Sequence, residues 1–332
     1  MARKHPNIYI GLSWILLFIG AAISVGFLII NCTNCEFSSD FDYEATGQFG
    51  DYIGGVVGTV FALAGTILVF ASFVQQQHRN TLESFERNYY EMLRVHEDIV
   101  REMNYEGKRS REIFPIAIEH LRIIYLETLQ QLTEVERKAK SGTLNLEGFT
   151  NDNIVHFIHD SGIDNMAMII SVGILYYGSD QYFLQSRRDA ALEAITKEVK
   201  DNLADFGYEP MDNVLGHYFR QMYHTVKYVL QPKWLTEEDR YGYVKLLRAQ
   251  LSDYEQMMLY YNSLSINGFA WKRSKSKTEI EKMSLIARFR LIKNIPYHYD
   301  YFYSHPADLY GLEKEAWNKK GKLFFENEIY TM

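Results

Sequence analysis

Ile53-Gly54-Gly55-Val56-Val57-Gly58-Thr59-Val60-Phe61-Ala62-Leu63-Ala64-Gly65-Thr66-Ile67-Leu68-Val69-Phe70-Ala71-Ser72-Phe73-Val74 is the stretch on which the reading of this chain turns. It holds 22 residues and no charge. At about 1.5 Å per helical residue it crosses roughly 30 Å of hydrocarbon. Upstream, Ile8–Ile30 is a second uncharged run, of 23 residues. Both exceed the usual length of a buried core helix, so both are predicted to span a membrane. Arg3 and Lys4 precede the first run, as in a signal peptide. However, the run is longer than a signal core of roughly 7–15 residues, and no small-x-small cleavage site follows it. Ile29-Ile30-Asn31-Cys32 is a poor lipoprotein site, because Asn31 stands where a small residue is wanted.

Basic residues set the expected orientation. Arg79 and Arg87 follow the second run, whereas 31–52 has no Lys or Arg and carries Glu36, Asp40, Asp42, Glu44 and Asp51. The positive-inside rule then predicts cytoplasmic termini and an acidic outer loop. Cys32 and Cys35 fall in that loop, where an oxidising compartment would favour a small disulfide over a CxxC redox or metal site. Gly54, Gly58 and Ala62 recur every four residues with Gly65 close by, the small-xxx-small pattern that lets helices approach in lipid. Two uses follow: packing on the first run, where Ala22 and Gly26 make a similar pair, or packing between subunits. Neither run carries a charged residue, so neither reads as an ion or proton pathway by itself.

The averages hide this arrangement. At roughly 100–200 residues per domain, 332 residues allow one or two domains. The 47% hydrophobic and 23% charged content excludes a disordered or fibrous chain. Mean hydropathy is -0.24, which alone would indicate a soluble protein. A net charge of -7 argues against a nucleic-acid coat, and two cysteines make no disulfide scaffold. With 25 Tyr, 20 Phe and 6 Pro, the composition suits long packed helices.

From Gln75 the period is helical. Leu82, Phe85, Tyr89, Met92, His96, Ile99 and Met103 alternate spacings of three and four, with no Pro or Gly between them and the second run. One continuous helix from membrane to cytoplasm is expected, its seam either a coiled coil between subunits or the core face of a monomeric bundle. His96 in that seam reads as a packed residue. Gly107 should break the helix. The next is expected over about 111–140, with Pro115 in its first turn and Gly142 as its stop. Residues 144–153 read as a loop, 163–177 as a buried helix too short to span, and 180–203 and 212–230 as further helices. Thr236 is a good N-cap, followed by Glu237, Glu238 and Asp239, for a helix expected to run to about Leu264. A basic linker, Trp271–Lys277, precedes a helix over 278–295, and Pro296 opens an aromatic tail.

No Walker A loop, GxGxxG, HExxH or GxSxG is present. His156 and His159 with Asp152 and Asp160 are too few named ligands for a metal and read as surface residues. On the helix over 212–230, His217, Arg220, Gln221 and His224 share a face. On the helix expected from Thr236, Arg248, Ser252, Glu255 and Asn262 share another. Polar residues in apolar stripes need partners when buried. One buried network is expected, in which Glu255 pairs with Arg220, Arg248 or a histidine. The rival use is a ribonuclease site of the higher-eukaryote-and-prokaryote nucleotide-binding type, in which an Arg is followed by four to six residues and a His. Arg220 and His224 have only three between them and depart from that pattern.

These residues, in order, carry a resemblance. Gly47-Gln48-Phe49-Gly50-Asp51-Tyr52-Ile53-Gly54-Gly55 leads into the second run, which ends in Gln75-Gln76-Gln77. Then come His217-Tyr218-Phe219-Arg220, Tyr223-His224, Arg248-Ala249-Gln250-Leu251-Ser252 with Glu255, and Tyr261-Asn262. Over about residues 45–295 the chain resembles the putative phage abortive infection proteins, bacterial membrane proteins with two spans and a helical cytoplasmic domain. The resemblance implies anti-phage defence and supplies no catalytic residue. Two-span proteins of similar design also serve in larger defence systems, including retrons. The expected architecture is all-α: a transmembrane hairpin over 1–74 and a cytoplasmic helical bundle over 75–332, in the bacterial inner membrane. The expected role is a non-enzymatic membrane effector, without cofactor or metal. Its expected partners are lipid, further copies of itself, and a sensor subunit or phage protein, with no direct nucleic-acid binding.

Overall fold

Both uncharged runs become long helices in the computed structural model, which describes residues 5–33, 43–178, 190–203, 207–265, 268–272, 284–296 and 300–309. Helix α1 covers His5–Thr33. Helix α2, Tyr43–Tyr52, passes through one π-helical turn, Ile53–Val57, into α3, Gly58–Glu102. Two stretches, Ile8–Gly26 and Gly50–Glu102, are long and apolar enough to cross a membrane. Only 11% and 17% of their most apolar windows are buried, too little for core helices of a soluble domain. The expected outer loop is shorter than 31–52, because its second half is helical from Tyr43. The disulfide expectation for Cys32 and Cys35, and most of the acidic loop, lie outside the described residues.

The chain divides into two compact units, residues 1–90 and 91–332, and α3 runs unbroken through the division. In the first unit, α1 meets the second run through Gly20, where an added Cβ would lie 3.2 Å from Phe61 and 3.3 Å from Val60. Tyr9 and Phe70 meet edge-on at 5.4 Å. Val57, Ala64 and Ala71, seven residues apart, are the buried positions of the second run. Gly54, Gly58, Ala62 and Gly65 are exposed. The small-residue stripe therefore does not pack on α1, and the π-turn, in which the Gly58 amide donates to the Ile53 carbonyl, interrupts its four-residue spacing. Both faces of this helix are apolar and small, so composition could not tell which one meets a neighbour.

Among the described residues of the second unit the regular structure is helical apart from one hairpin, Asn104–Tyr105 against Lys108–Arg109. Glu106 and Gly107 turn it, with φ of 48° and 77°, which is the double positive-φ geometry of a tight hairpin. After a 3-10 turn at Ser110–Glu112 comes α4, Ile113–Lys140, followed by Gly142 at φ 72°. α4 packs along α6, Ile163–Tyr177, which is buried on nearly every side. The Tyr125 hydroxyl of α4 donates to Asp164 at 3.0 Å and so accounts for the acid at the start of α6. Residues 151–153, expected in a loop, open a helix α5, Asn151–Ser161, because the Thr150 side chain accepts from the Asn153 amide as an N-cap. α7 is described over Ala190–Asn202, and residues 180–189 of that expected helix lie outside the described part.

A π-turn, Asp212–Gly216, leads into α8, His217–Leu230. The helix expected from Thr236 to Leu264 is two helices: α9, Glu237–Arg248, and α10, Asp253–Leu264. Ser252 restarts the helix through a reciprocal capping box with Glu255, a Ser-x-x-Glu signal that a continuous periodicity masks. Trp271 and Lys272 belong to a short helix, α11, Phe269–Lys272, and not to a linker; residues 273–283 lie outside the described part. The helix expected to reach Ile295 is described only over Leu285–Phe289, capped by Ser284 and ended by Arg290 at a left-handed φ of 52°. Arg288 holds that short helix to α9 through two bonds of 2.7 Å to Glu237.

Candidate functional site: a polar hub and an aromatic cleft

Two arrangements in the second unit carry the polar chemistry. The first is built on Glu255, whose side chain is wholly buried at the start of α10. Its carboxylate accepts from the Ser252 amide (2.7 Å), the Arg111 guanidinium (3.0 Å) and the Tyr218 hydroxyl (3.0 Å). Arg111 also donates to the Gln250 carbonyl at 2.9 Å. One acid thus ties α10 to the turn before α4 and to α8. Burial raises the Tyr218 hydroxyl pKa well above its usual value, and the neighbouring Glu255 carboxylate raises it further, so Tyr218 stays a donor. The Tyr218 ring lies 4.8 Å from His96 and 4.9 Å from Phe114.

His96 is buried, and both its ring nitrogens lack a hydrogen-bond partner. Burial pushes its pKa down to about 4, against an opposing pull from Glu255 and with a further lowering from Arg111. In the seam, Phe85, Tyr89, His96, Ile99 and Met103 are buried, while Leu82 and Met92 are half-buried. Gln221 of α8 donates to the Met92 carbonyl at 3.4 Å. In the second unit, then, the seam residues His96, Ile99 and Met103 pack into the chain's own core.

The expected network is thus real at Glu255 but differently composed. His217, Arg220 and His224 share a face of α8 as expected, but that face is exposed, and none of the three reaches Glu255. Arg248 is buried and turns away: it donates to the carbonyls of Phe289 (3.4 Å) and Arg290 (3.2 Å) and to the Tyr241 hydroxyl (3.4 Å). Asn262 accepts from the Tyr176 hydroxyl at 3.0 Å. Ser252 acts as a cap. Arg111 and Tyr218 were missed as partners; Arg111 lies 144 residues from Glu255, a separation that no local periodicity encodes.

The second arrangement is a cleft of about 230 Å³ beside α8. Phe219, Tyr223 and Trp271 line it with Tyr177, and the Tyr223 and Trp271 rings meet edge-on at 5.3 Å. Its polar lining comes from Asp212, Arg220 and Asn262. Gly216 lies between Asp212 and Arg220, and a Cβ there would stand 2.6 Å from Asp212 Oδ1. The absent side chain is what allows the carboxylate to lean over the helix. Among the described residues no three His, Cys, Asp or Glu side chains converge as a metal set would. His156, His159, Asp152 and Asp160 are exposed on α5.

Residues 211–299 match the family model described as "Putative phage abortive infection protein", the family that the sequence resembles. The matched segment includes Tyr218 and Glu255 of the hub and the cleft residues from Asp212 to Trp271. No curated protein and no solved structure matches the chain.

Proposed function

We propose that this protein is a membrane-anchored effector of abortive infection, which registers phage infection in its cytoplasmic helical domain and disrupts the bacterial inner membrane. The family match over 211–299 supports the defence role. The observation that carries the membrane mechanism is α3, one helix of 45 residues from Gly58 to Glu102. At about 1.5 Å per residue it is a rod of about 70 Å. Its apolar start belongs to the second run, and its last turns carry His96 beside the Glu255 hub. In this reading α3 is the element that carries a change at the hub to the second run. There Gly54, Gly58, Ala62 and Gly65 are exposed, and small residues let helices of neighbouring copies approach closely. The basic residues at 79 and 87 and the acids of 36–51 support cytoplasmic termini.

The test is membrane potential in cells carrying the protein during phage challenge. Depolarisation before lysis is expected with the native chain, and its loss with Gly54→Leu/Gly58→Leu at equal expression. Arrest and death with normal potential would sink the mechanism. The non-enzymatic reading also requires His224→Ala to keep protection, which a ribonuclease using Arg220 and His224 would lose.

A further inference from the structure

We infer that the cleft beside α8 binds a purine mononucleotide, with the base inward and the phosphate at the mouth. Asn262 lines the cleft; its Oδ1 accepts from the Tyr176 hydroxyl, and its Nδ2 makes no hydrogen bond among the described residues. An N–H there is free to donate to a ligand. Asp212 supplies the complementary acceptor, and makes no ion pair among the described residues. Carboxylate and amide together match a purine edge, which offers an N–H or exocyclic amine beside a ring nitrogen. Tyr223, Trp271, Phe219 and Tyr177 provide flat apolar walls of the kind on which bases stack. Arg220, exposed at the rim and without an ion pair among the described residues, presents a guanidinium, the group best shaped for phosphate oxygens.

Other occupants fit less well. A lipid chain would leave Asp212, Arg220 and Asn262 unpaired. A metal would find one carboxylate. An α-amino acid carries its two charges on adjacent atoms, whereas Asp212 and Arg220 are rooted two helical turns apart. About 230 Å³ is below the roughly 300–1,000 Å³ of sites that enclose a drug-sized ligand, so the cleft takes the base and leaves the phosphate at its mouth. The site does not depend on the membrane mechanism, because binding is measured whether or not the chain depolarises a cell.

The experiment is equilibrium dialysis of the full-length chain in detergent micelles against AMP, GMP, their nucleosides, inorganic phosphate and free tryptophan. Saturable binding of AMP or GMP is expected, at least about tenfold tighter than the nucleoside and without measurable phosphate binding. Arg220→Ala, an exposed position, should lower nucleotide affinity about tenfold or more and leave nucleoside affinity unchanged. Gly216→Ala, which displaces the Asp212 carboxylate, and Asp212→Asn should weaken nucleotide and nucleoside alike. No saturable nucleotide binding, equal binding by Arg220→Ala, phosphate binding as tightly as the nucleotide, or tryptophan binding in its place would each overturn the assignment.

Discussion

Acidification below about pH 6.5 puts a proton on the imidazole of an unfolded His96 but not on that of the folded one. Folding buries the ring against Tyr218 with both nitrogens unpartnered, and its pKa falls from the usual 6.5 to about 4. Above the unfolded pKa both states are neutral and His96 contributes no pH dependence. Between the two values the unfolded state alone binds the proton, so stability falls as pH falls, by about 1.4 kcal/mol per unit. Over the window from 6.5 to about 4 the loss sums to about 3 kcal/mol. Below it, both states are charged and the term is constant. Glu255 and Arg111 face the same ring from α10 and the turn before α4, so the measurement has to isolate the imidazole. The assay is therefore a difference: tryptophan-monitored unfolding of the full-length chain in detergent, native against His96→Phe, which keeps a ring beside Tyr218. The native chain should lose stability relative to the variant at about 1.4 kcal/mol per pH unit below about 6.5. Parallel profiles for the two proteins would refute the assignment of a buried, unpartnered imidazole.

Two further outcomes follow from the same unit. Arg111→Ala leaves the wholly buried Glu255 carboxylate without its cation and should destabilise the chain by about 3 kcal/mol, with part recovered in Arg111→Ala/Glu255→Gln, as read by denaturant unfolding. A loss under about 1 kcal/mol would mean that the Tyr218 and Ser252 bonds suffice for the carboxylate. Thr236→Ala removes a capping box and should cost about 1 kcal/mol, with faster amide exchange confined to the first turn of α9; unchanged exchange there would refute the cap.

Features written in local pattern were legible in advance, and features made by distant contact were not. The uncharged runs, the buried helix over 163–177 and the Thr236 cap each rest on a few adjacent residues, and each is present in the structure, whereas the helix expected to break at Gly107 already ends at Glu102 and Gly107 turns a hairpin. Glu255 could be recognised as a buried acid because it interrupts an apolar stripe. Its cation could not be named, because the two arginines that share helical faces with the polar stripe, Arg248 and Arg220, are respectively spent on backbone carbonyls and exposed. The break between α9 and α10 was hidden because Ser252 and Glu255 also fit a helical face, and that fit outweighed their capping spacing. The cleft was invisible, because Tyr176 and Tyr177 come from α6 and Trp271 from α11, and only the packed chain brings them to α8.

The π-turn at Ile53–Val57 holds one residue more than the α-helical winding it replaces. Rewinding it as α-helix, with the flanking segments otherwise intact, would turn one flank against the other by about 100° and shift it by about 1.5 Å along the axis. Such a screw step breaks no ladder beyond the turn itself, and Gly54 and Gly55 carry no side chain to oppose it. A change of winding at this one turn would therefore present a different side of the Tyr43–Tyr52 helix to whatever lies beside it.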